Sequence, residues 1–340
     1  MIDFLSSAAP IAERSGVTPD VFASEIVPAY RPVVLRGLAT DWPAVAAGQG
    51  GVRPMIDYLR QFDAGRPVTM FAGAPDIAGR FFYSADHRGM NFQQAQVLLS
   101  LVLDALAAEA GNPAAPSLYV GSTPTPDVFP GWAEANVLSL PTPGAVPRLW
   151  IGNGSRVSTL YDMSSNLAVV VSGRRRFAVI PPAQTPDLYV GPLEDTIAGQ
   201  PVSMVDLEAP DLDRYPRFAE AMPAVRVAEL GPGDAIYIPA YWWHDVRATG
   251  PLNVLVNYWW HEGSGASPFN ALMHAVLAVR DLPAGERDAM RVWFDQYVFG
   301  PSAASVADHL PDHARGVVGP ASPERDAKIR AFLRQALADR

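Results

Sequence analysis

Residues 231–260 read GPGDAIYIPAYWWHDVRATGPLNVLVNYWW. Pro232-Gly233-Asp234 is a turn signal, Ala235 to Ile238 is an apolar run, and Pro239 stops it. Trp242-Trp243-His244 follows, before a second apolar run that ends in Asn257-Tyr258-Trp259-Trp260. The pattern predicts two short strands paired as a hairpin that carries His244 into an aromatic-walled cavity.

Upstream, residues 149–182 read LWIGNGSRVSTLYDMSSNLAVVVSGRRRFAVIPP. Alternate residues of a strand share a face, so Ser158 and Asp162 point inward together with Leu160, while Tyr161 points the other way. The same parity separates Arg175 from Arg174 and Arg176, although three consecutive arginines at a turn also describe a solvated edge. Asn166 and Asn257 are polar positions near these strands, and an arbitrary Asn at a strand end more often satisfies backbone groups than it builds a site. Large aromatic residues such as Trp243 and Trp259 fill cores more often than they build ligand platforms.

Strand signals punctuated by Pro and Gly run from Ser117 to Trp260, as in an antiparallel sandwich or jelly roll. Before them, the spacing predicts a strand at Pro32 to Arg36, a helix from Pro54 to Phe62, a strand at Pro67 to Phe71 and a helix over Phe92 to Glu109. After them, Ser267-Pro268 and Ser322-Pro323-Glu324 open amphipathic helices, the first with Phe269, Leu272, Met273, Val276 and Leu277 on one stripe. The expected organisation is an N-terminal α/β extension over 1–115, a barrel over 116–262 and a helical segment over 263–340. Those last helices need a partner surface, either the protein's own barrel or a second copy in a homodimer.

Composition narrows the chemistry. The 340 residues are 49% hydrophobic and 18% charged, with no apolar stretch of about 18 residues to span a bilayer. A soluble, cytoplasmic protein is expected, since the opening MIDFLSSAAPIAERSG lacks the pattern of a secretory signal. The absence of cysteine excludes disulfides, thiolate metal sites and cysteine nucleophiles. A net charge of −9 argues against nucleic acid as a partner, and with Lys328 the only lysine an anion site must use arginine or backbone amides. Phosphate-binding glycine loops, Gly-x-Ser-x-Gly elbows and His-Glu-x-x-His helices are absent.

The Trp150-Ile151-Gly152 strand, Tyr161-Asp162, Asn166, Leu167 to Val171, Gly173, the arginine cluster, Pro181-Pro182, Leu188 to Pro192 and the segment around His244 form an ordered set. Together they resemble the cupin-like (JmjC) Fe(II)- and 2-oxoglutarate-dependent dioxygenases, especially the asparaginyl hydroxylase type, over most of residues 20 to 260. The resemblance implies a double-stranded β-helix of the cupin, jelly-roll kind. It also implies Fe(II) held by two imidazoles and a carboxylate, with positions left for O₂ and 2-oxoglutarate. Asp162 and His244 stand at the carboxylate and distal-histidine positions, and Leu160 stands where the first histidine belongs. Leucine has no electron pair to donate. His87, in the loop from Tyr83 to Asn91, is the named alternative ligand.

By the same resemblance Arg175 holds the distal carboxylate of 2-oxoglutarate, Asn166, Asn257 and Ser158 surround the cosubstrate, and Tyr161, Trp243 and Trp259 line the pocket. The implied activity is hydroxylation of a protein side chain or small molecule. The alternative is a catalytically silent cupin that binds a peptide or small acid.

Overall fold

The computed structural model describes residues 4–197, 199–261 and 266–338. The chain divides into two units, Met1–His261 and Glu262–Arg340. The boundary expected at 262/263 lies outside the described residues.

In the first unit the strands are β1 (Ala9–Pro10), β2 (Ala12–Ser15), β3 (Val33–Arg36), β4 (Pro67–Gly73), β5 (Arg80–Phe81), β6 (Gln93–Leu98) and β7 (Ser117–Pro124). They continue as β8 (Arg148–Gly152), β9 (Ser155–Tyr161), β10 (Ser165–Ile180), β11 (Arg226–Leu230), β12 (Ala235–Ile238) and β13 (Trp243–Trp260). Their order is β2-β3-β12-β10-β13-β8-β7-β4-β6, with β11 also on β10 and β9 also on β13. The arrangement is the cupin jelly roll with α extensions.

The two longest strands organise it. β10 and β13 run antiparallel from Ser165 opposite Trp260 to Ile180 opposite Trp243. Each changes its second neighbour midway: β10 passes from β12 to β11, and β13 from β9 to β8. The bend is local. β10 has register shifts between Val170 and Ser172 and between Ser172 and Arg174, where Gly173 adopts φ +78°. A Cβ on Gly173 would lie 2.1 Å from Asn253 Oδ1, so both the conformation and the close approach require glycine there.

Two expectations are corrected. β12 and β13 are not a hairpin, because β10 lies between them and pairs with both. The predicted helix over Phe92 to Glu109 begins only at Leu99, since Gln93–Leu98 pairs with β4 in register from Ala72 opposite Gln93 to Pro67 opposite Leu98. Pairing with β4 there outweighs the helical spacing of the apolar residues. The helix that remains, Leu99–Ala108, buries Leu99, Val102, Leu103 and Leu106.

The alternation along β10 separates two cores. Leu167, Val169 and Val171 join Met55, Ile56 and Leu59 of the helix Val52–Arg60 on the outer face, while Ala168, Val170 and Phe177 join Val246 and Leu255 inside. Full burial of each such aliphatic or aromatic side chain contributes roughly 1.5–3 kcal/mol, which locks the strand register and therefore the direction of every polar side chain between them.

The second unit contains helices Pro268–Ala278, Ala284–Phe294 and Pro323–Ala338. Ser322 caps the last, its Oγ accepting from Arg325 N at 3.1 Å. Leu277, Trp293, Phe299 and Phe332 are exposed.

Candidate functional site

The barrel encloses a cavity of about 480 Å³ walled by strands that are distant in sequence. β9 and β13 build one end. His244 is the cross-strand partner of Leu160, and Trp243 is the partner of Tyr161. Ser158, Leu160, Asp162 and His244 line the cavity, with Asn166, Asn257 and Trp259.

His244 is buried and its Nδ1 lies 3.0 Å from Trp242 O. A carbonyl only accepts, so Nδ1 carries the proton and the Nε2 lone pair is left for the cavity. Nε2 lies 3.7 Å from Asp162 Oδ2. That oxygen accepts from Trp259 Nε1 at 3.1 Å and from Asn166 Nδ2 at 3.4 Å. Asn257 Nδ2 donates to Asn166 Oδ1 at 3.4 Å, and Asn257 Oδ1 accepts from Trp150 Nε1 at 2.8 Å. A chain of amides and indoles thus orients the carboxylate.

Arg175 also lines the cavity. Its side chain is only 2% exposed, and its Nε and Nη2 have no hydrogen-bond partner in the protein. The Tyr119 hydroxyl lies beside it. Burial pulls the guanidinium pKa down, with Tyr119 acting against the shift. Burial likewise pushes the Tyr119 phenol up to about 12, with Arg175 acting against it. Ser158 Oγ is a further buried polar atom without a partner. Leaving charge-bearing donors unpaired in a buried site is costly, and an acceptor brought into the cavity would offset that cost.

A family description, the cupin-like domain, matches residues 19–266. The chain belongs to the cupin-like domain family. This cupin is 38% identical over 109 residues to the lysine-specific demethylase JMJ31 of Arabidopsis thaliana, a match covering 32% of this chain and 19% of that protein. It is 28% identical to the human bifunctional peptidase and (3S)-lysyl hydroxylase JMJD7 over 263 residues, 68% of this chain and 77% of the relative. A third relative, the tRNA wybutosine-synthesizing protein 5 of Gallus gallus, is 25% identical over 252 residues, 70% and 73% of the two chains. The match with the plant demethylase thus spans about a fifth of that protein's length. The cupin is related to the JmjC hydroxylases and demethylases.

Measured against the iron site of that class, the donor set is incomplete. Asp162 Oδ2 and His244 Nε2 face each other, but Leu160 offers no third donor. Leu160 instead packs with Phe82, Tyr83 and Val202, alongside Ile197 and Met204, and forms a bridge with Val202. His87 sits exposed at φ +56° with its ring 6.2 Å from that of Tyr83, and it is not among the residues lining the cavity. Among the described residues no three His, Cys, Asp or Glu side chains form a metal-binding group. The residues present do not fit a facial triad made by the protein alone, whereas Arg175 fits the carboxylate of an acid.

Tyr161 and Trp243, expected around the pocket, are corrected to the opposite face. Their rings meet edge to face at 4.8 Å in a cluster with Ile180 and Leu188, and Trp243 Nε1 donates to Thr185 Oγ1 at 2.9 Å. Strand parity is the reason: each is adjacent to an inward residue and so points away. The neighbours of Arg175 obey the same rule, Arg174 being exposed and Arg176 donating to Glu208 at 2.7 Å. Tyr119 escaped the sequence reading, as an unremarkable tyrosine in a strand far from the motifs. On the outward face beside His244, Asp245 accepts from Thr159 Oγ1 at 3.3 Å, and burial, then the Asp206 carboxylate, pushes its carboxyl up to about 7.

Proposed function

We propose that this cupin is a small-acid-binding protein of the Fe(II)- and 2-oxoglutarate-dependent hydroxylase class, with Arg175 as the carboxylate anchor. The buried guanidinium with two unpaired nitrogens carries the reading, because a carboxylate would supply both the acceptors and the opposite charge that the protein does not. Tyr119 and Ser158 flank it as neutral hydrogen-bonding groups, and Asn166, Asn257 and Trp259 support the other end of the ligand. 2-Oxoglutarate is the reference ligand through the family relationship.

Hydroxylation of a protein side chain or small molecule is the activity that accompanies this class, and the lysyl hydroxylase among the relatives aligns with 68% of the chain. Bound iron would supply oxygen activation, with Asp162 and His244 as the protein donors. Leu160 favours the second reading, an acid-binding cupin without redox turnover, since its apolar neighbours accommodate leucine rather than a ligand. A homodimer through the second unit's helices is a further proposal, supported by the exposed Trp293, Phe299 and Phe332.

The deciding experiment is an anaerobic Fe(II) titration with excess 2-oxoglutarate, following the visible charge-transfer band of the chelated iron, with Leu160→His alongside. A band in wild type establishes the iron centre, whereas a band confined to the variant establishes the acid-binding reading. Failure of 2-oxoglutarate and simple acids to bind either protein would overturn Arg175 as an anchor.

A further inference from the structure

Strand register carries an apolar track away from Arg175. On β10 and β13, Arg175 lies opposite Ala248, Phe177 opposite Val246 and Val179 opposite His244, while β9 sets Val157 opposite Val246 and Leu160 opposite His244. Phe177, Val246 and Val157 therefore form the row next to the anchor, and all three line the cavity. The row after it holds Leu160, which packs with Val202 and Ile197, also in the lining. A histidine at position 160 would interrupt this track with a polar ring, whereas leucine continues it.

Another part of the wall is aromatic. Tyr119, beside Arg175, stacks on Trp150 with ring centroids 5.9 Å apart, and Phe71, Phe81 and Phe92 meet one another at 5.4–6.4 Å. The indole donors of the lining are already engaged, Trp150 Nε1 with Asn257 Oδ1 and Trp259 Nε1 with Asp162 Oδ2. An indole has a single N–H, so neither serves a further acceptor. Among the described residues Arg175 is the only Lys or Arg in the lining. A second carboxylate on a ligand would thus enter mostly apolar surroundings with no second arginine or lysine to meet it, which is costly. An apolar body would instead take this surface out of water, a gain that grows with the area covered. The volume of about 480 Å³ lies in the range of roughly 300–1,000 Å³ that encloses ligands of drug size.

We infer that the metal-free cavity takes a monocarboxylic acid with an apolar body, aryl or alkyl, in preference to a dicarboxylate, its carboxylate on Arg175 and its body along the track that Leu160 extends. This rests on Arg175 as a carboxylate anchor and names the ligand class of that same site. Arg175 Nε and Nη2 are neighbouring donors on one edge of a planar fork, so the two oxygens of a single carboxylate satisfy both at once. The buried Ser158 hydroxyl is a further unpartnered donor in the lining. Beyond the anchor the ligand needs no hydrogen bond. Phe177, Val246 and Leu160 offer contact surface, and the rings of Phe71 and Phe81 accept an aryl body edge to face.

The test is calorimetric titration of the full chain, in buffer passed over a chelating resin, with 3-phenylpropanoate, octanoate and glutarate. At least one of the two apolar acids is expected to bind about tenfold or more tightly than glutarate, the scale of burying one aromatic or aliphatic side chain. Which of the two leads distinguishes an aryl from an alkyl body. Its binding should carry a larger negative heat-capacity change than that of glutarate. Arg175→Met should lose both apolar acids, which separates anchored binding from detergent-like association. In Phe71→Ala, at a half-buried position of the wall, the preference over glutarate should shrink. Glutarate matching or exceeding both apolar acids in wild type would overturn the inference while leaving the anchor intact. Apolar-acid binding that persists in Arg175→Met would overturn the inference as well, and binding of none of the three would overturn Arg175 as the anchor and the inference with it. The wild-type ranking alone decides should a variant fail to fold, and an unchanged preference in folded Phe71→Ala also counts against the inference.

Discussion

Leu160 and His244 are direct cross-strand partners on β9 and β13, and both line the cavity. The chain therefore presents an alkyl group to its neighbouring imidazole, at the position where the resemblance to the hydroxylases leads one to expect a second ligand. The leucine is no stray: Val202, Ile197 and Met204 surround it with apolar surface.

Leu160→His should add the missing donor without altering strand register, since the residue keeps its inward parity. Fe(II) with 2-oxoglutarate should then give a charge-transfer band stronger than in wild type. The same change places an imidazole among apolar neighbours and should cost about 1–3 kcal/mol of stability in the metal-free protein. Urea unfolding with and without Fe(II) checks both effects, and recovery of stability only with metal is the expected pattern.

Arg175→Met should weaken binding of 2-oxoglutarate or glutarate by at least about tenfold in the presence of Mn(II). Its effect on stability should be the reverse of a normal core truncation. Removing a buried, partly unpaired charge is neutral or stabilising, so the melting temperature of the ligand-free variant should not fall. A drop of several degrees would mean that the Tyr119 contact matters more than the unpaired nitrogens.

Asp245 gives a pH signature. Its folded-state carboxyl is raised from 3.8 to about 7, by burial first and by Asp206 next. The native state thus binds more protons than the unfolded chain between these values, and the contribution of this group to stability falls as pH rises towards 7. Asp245→Asn cannot ionise. Its melting temperature should exceed that of wild type above pH 7, and the gap should close towards pH 4; parallel curves would contradict the assignment.

Gly173→Ala should destabilise the protein by roughly 1–3 kcal/mol, because φ is +78° and the new methyl would meet Asn253 Oδ1. The bend it supports lies two residues before Arg175, so acid affinity should fall as well. Denaturant unfolding and calorimetry on the same preparation measure the two losses.

Sequence alone determined whatever depends on short-range periodicity. Alternation places Leu160 beside Asp162 on one face and sends Arg174 and Arg176 away from Arg175, and these relations hold because strand parity is a local property of the backbone. The same parity already turned Tyr161 away from Asp162 and applies equally to Trp243, so it outranks the resemblance that put both in the pocket; Trp243 bonds Thr185 outside it. Only tertiary structure decided the rest. β12 and β13 read as a hairpin because they are neighbours in sequence, but β10 lies between them, and pairing across long separations leaves no local trace. Tyr119 meets Arg175 from a strand more than fifty residues away, and the burial that leaves two guanidinium nitrogens unpaired arises from strands that converge only in the closed barrel. Leu160 drew attention in the sequence because the resemblance expects a histidine there; that it packs into an apolar wall with Val202 and Ile197 depended on a segment about forty residues further on, brought to it by the fold.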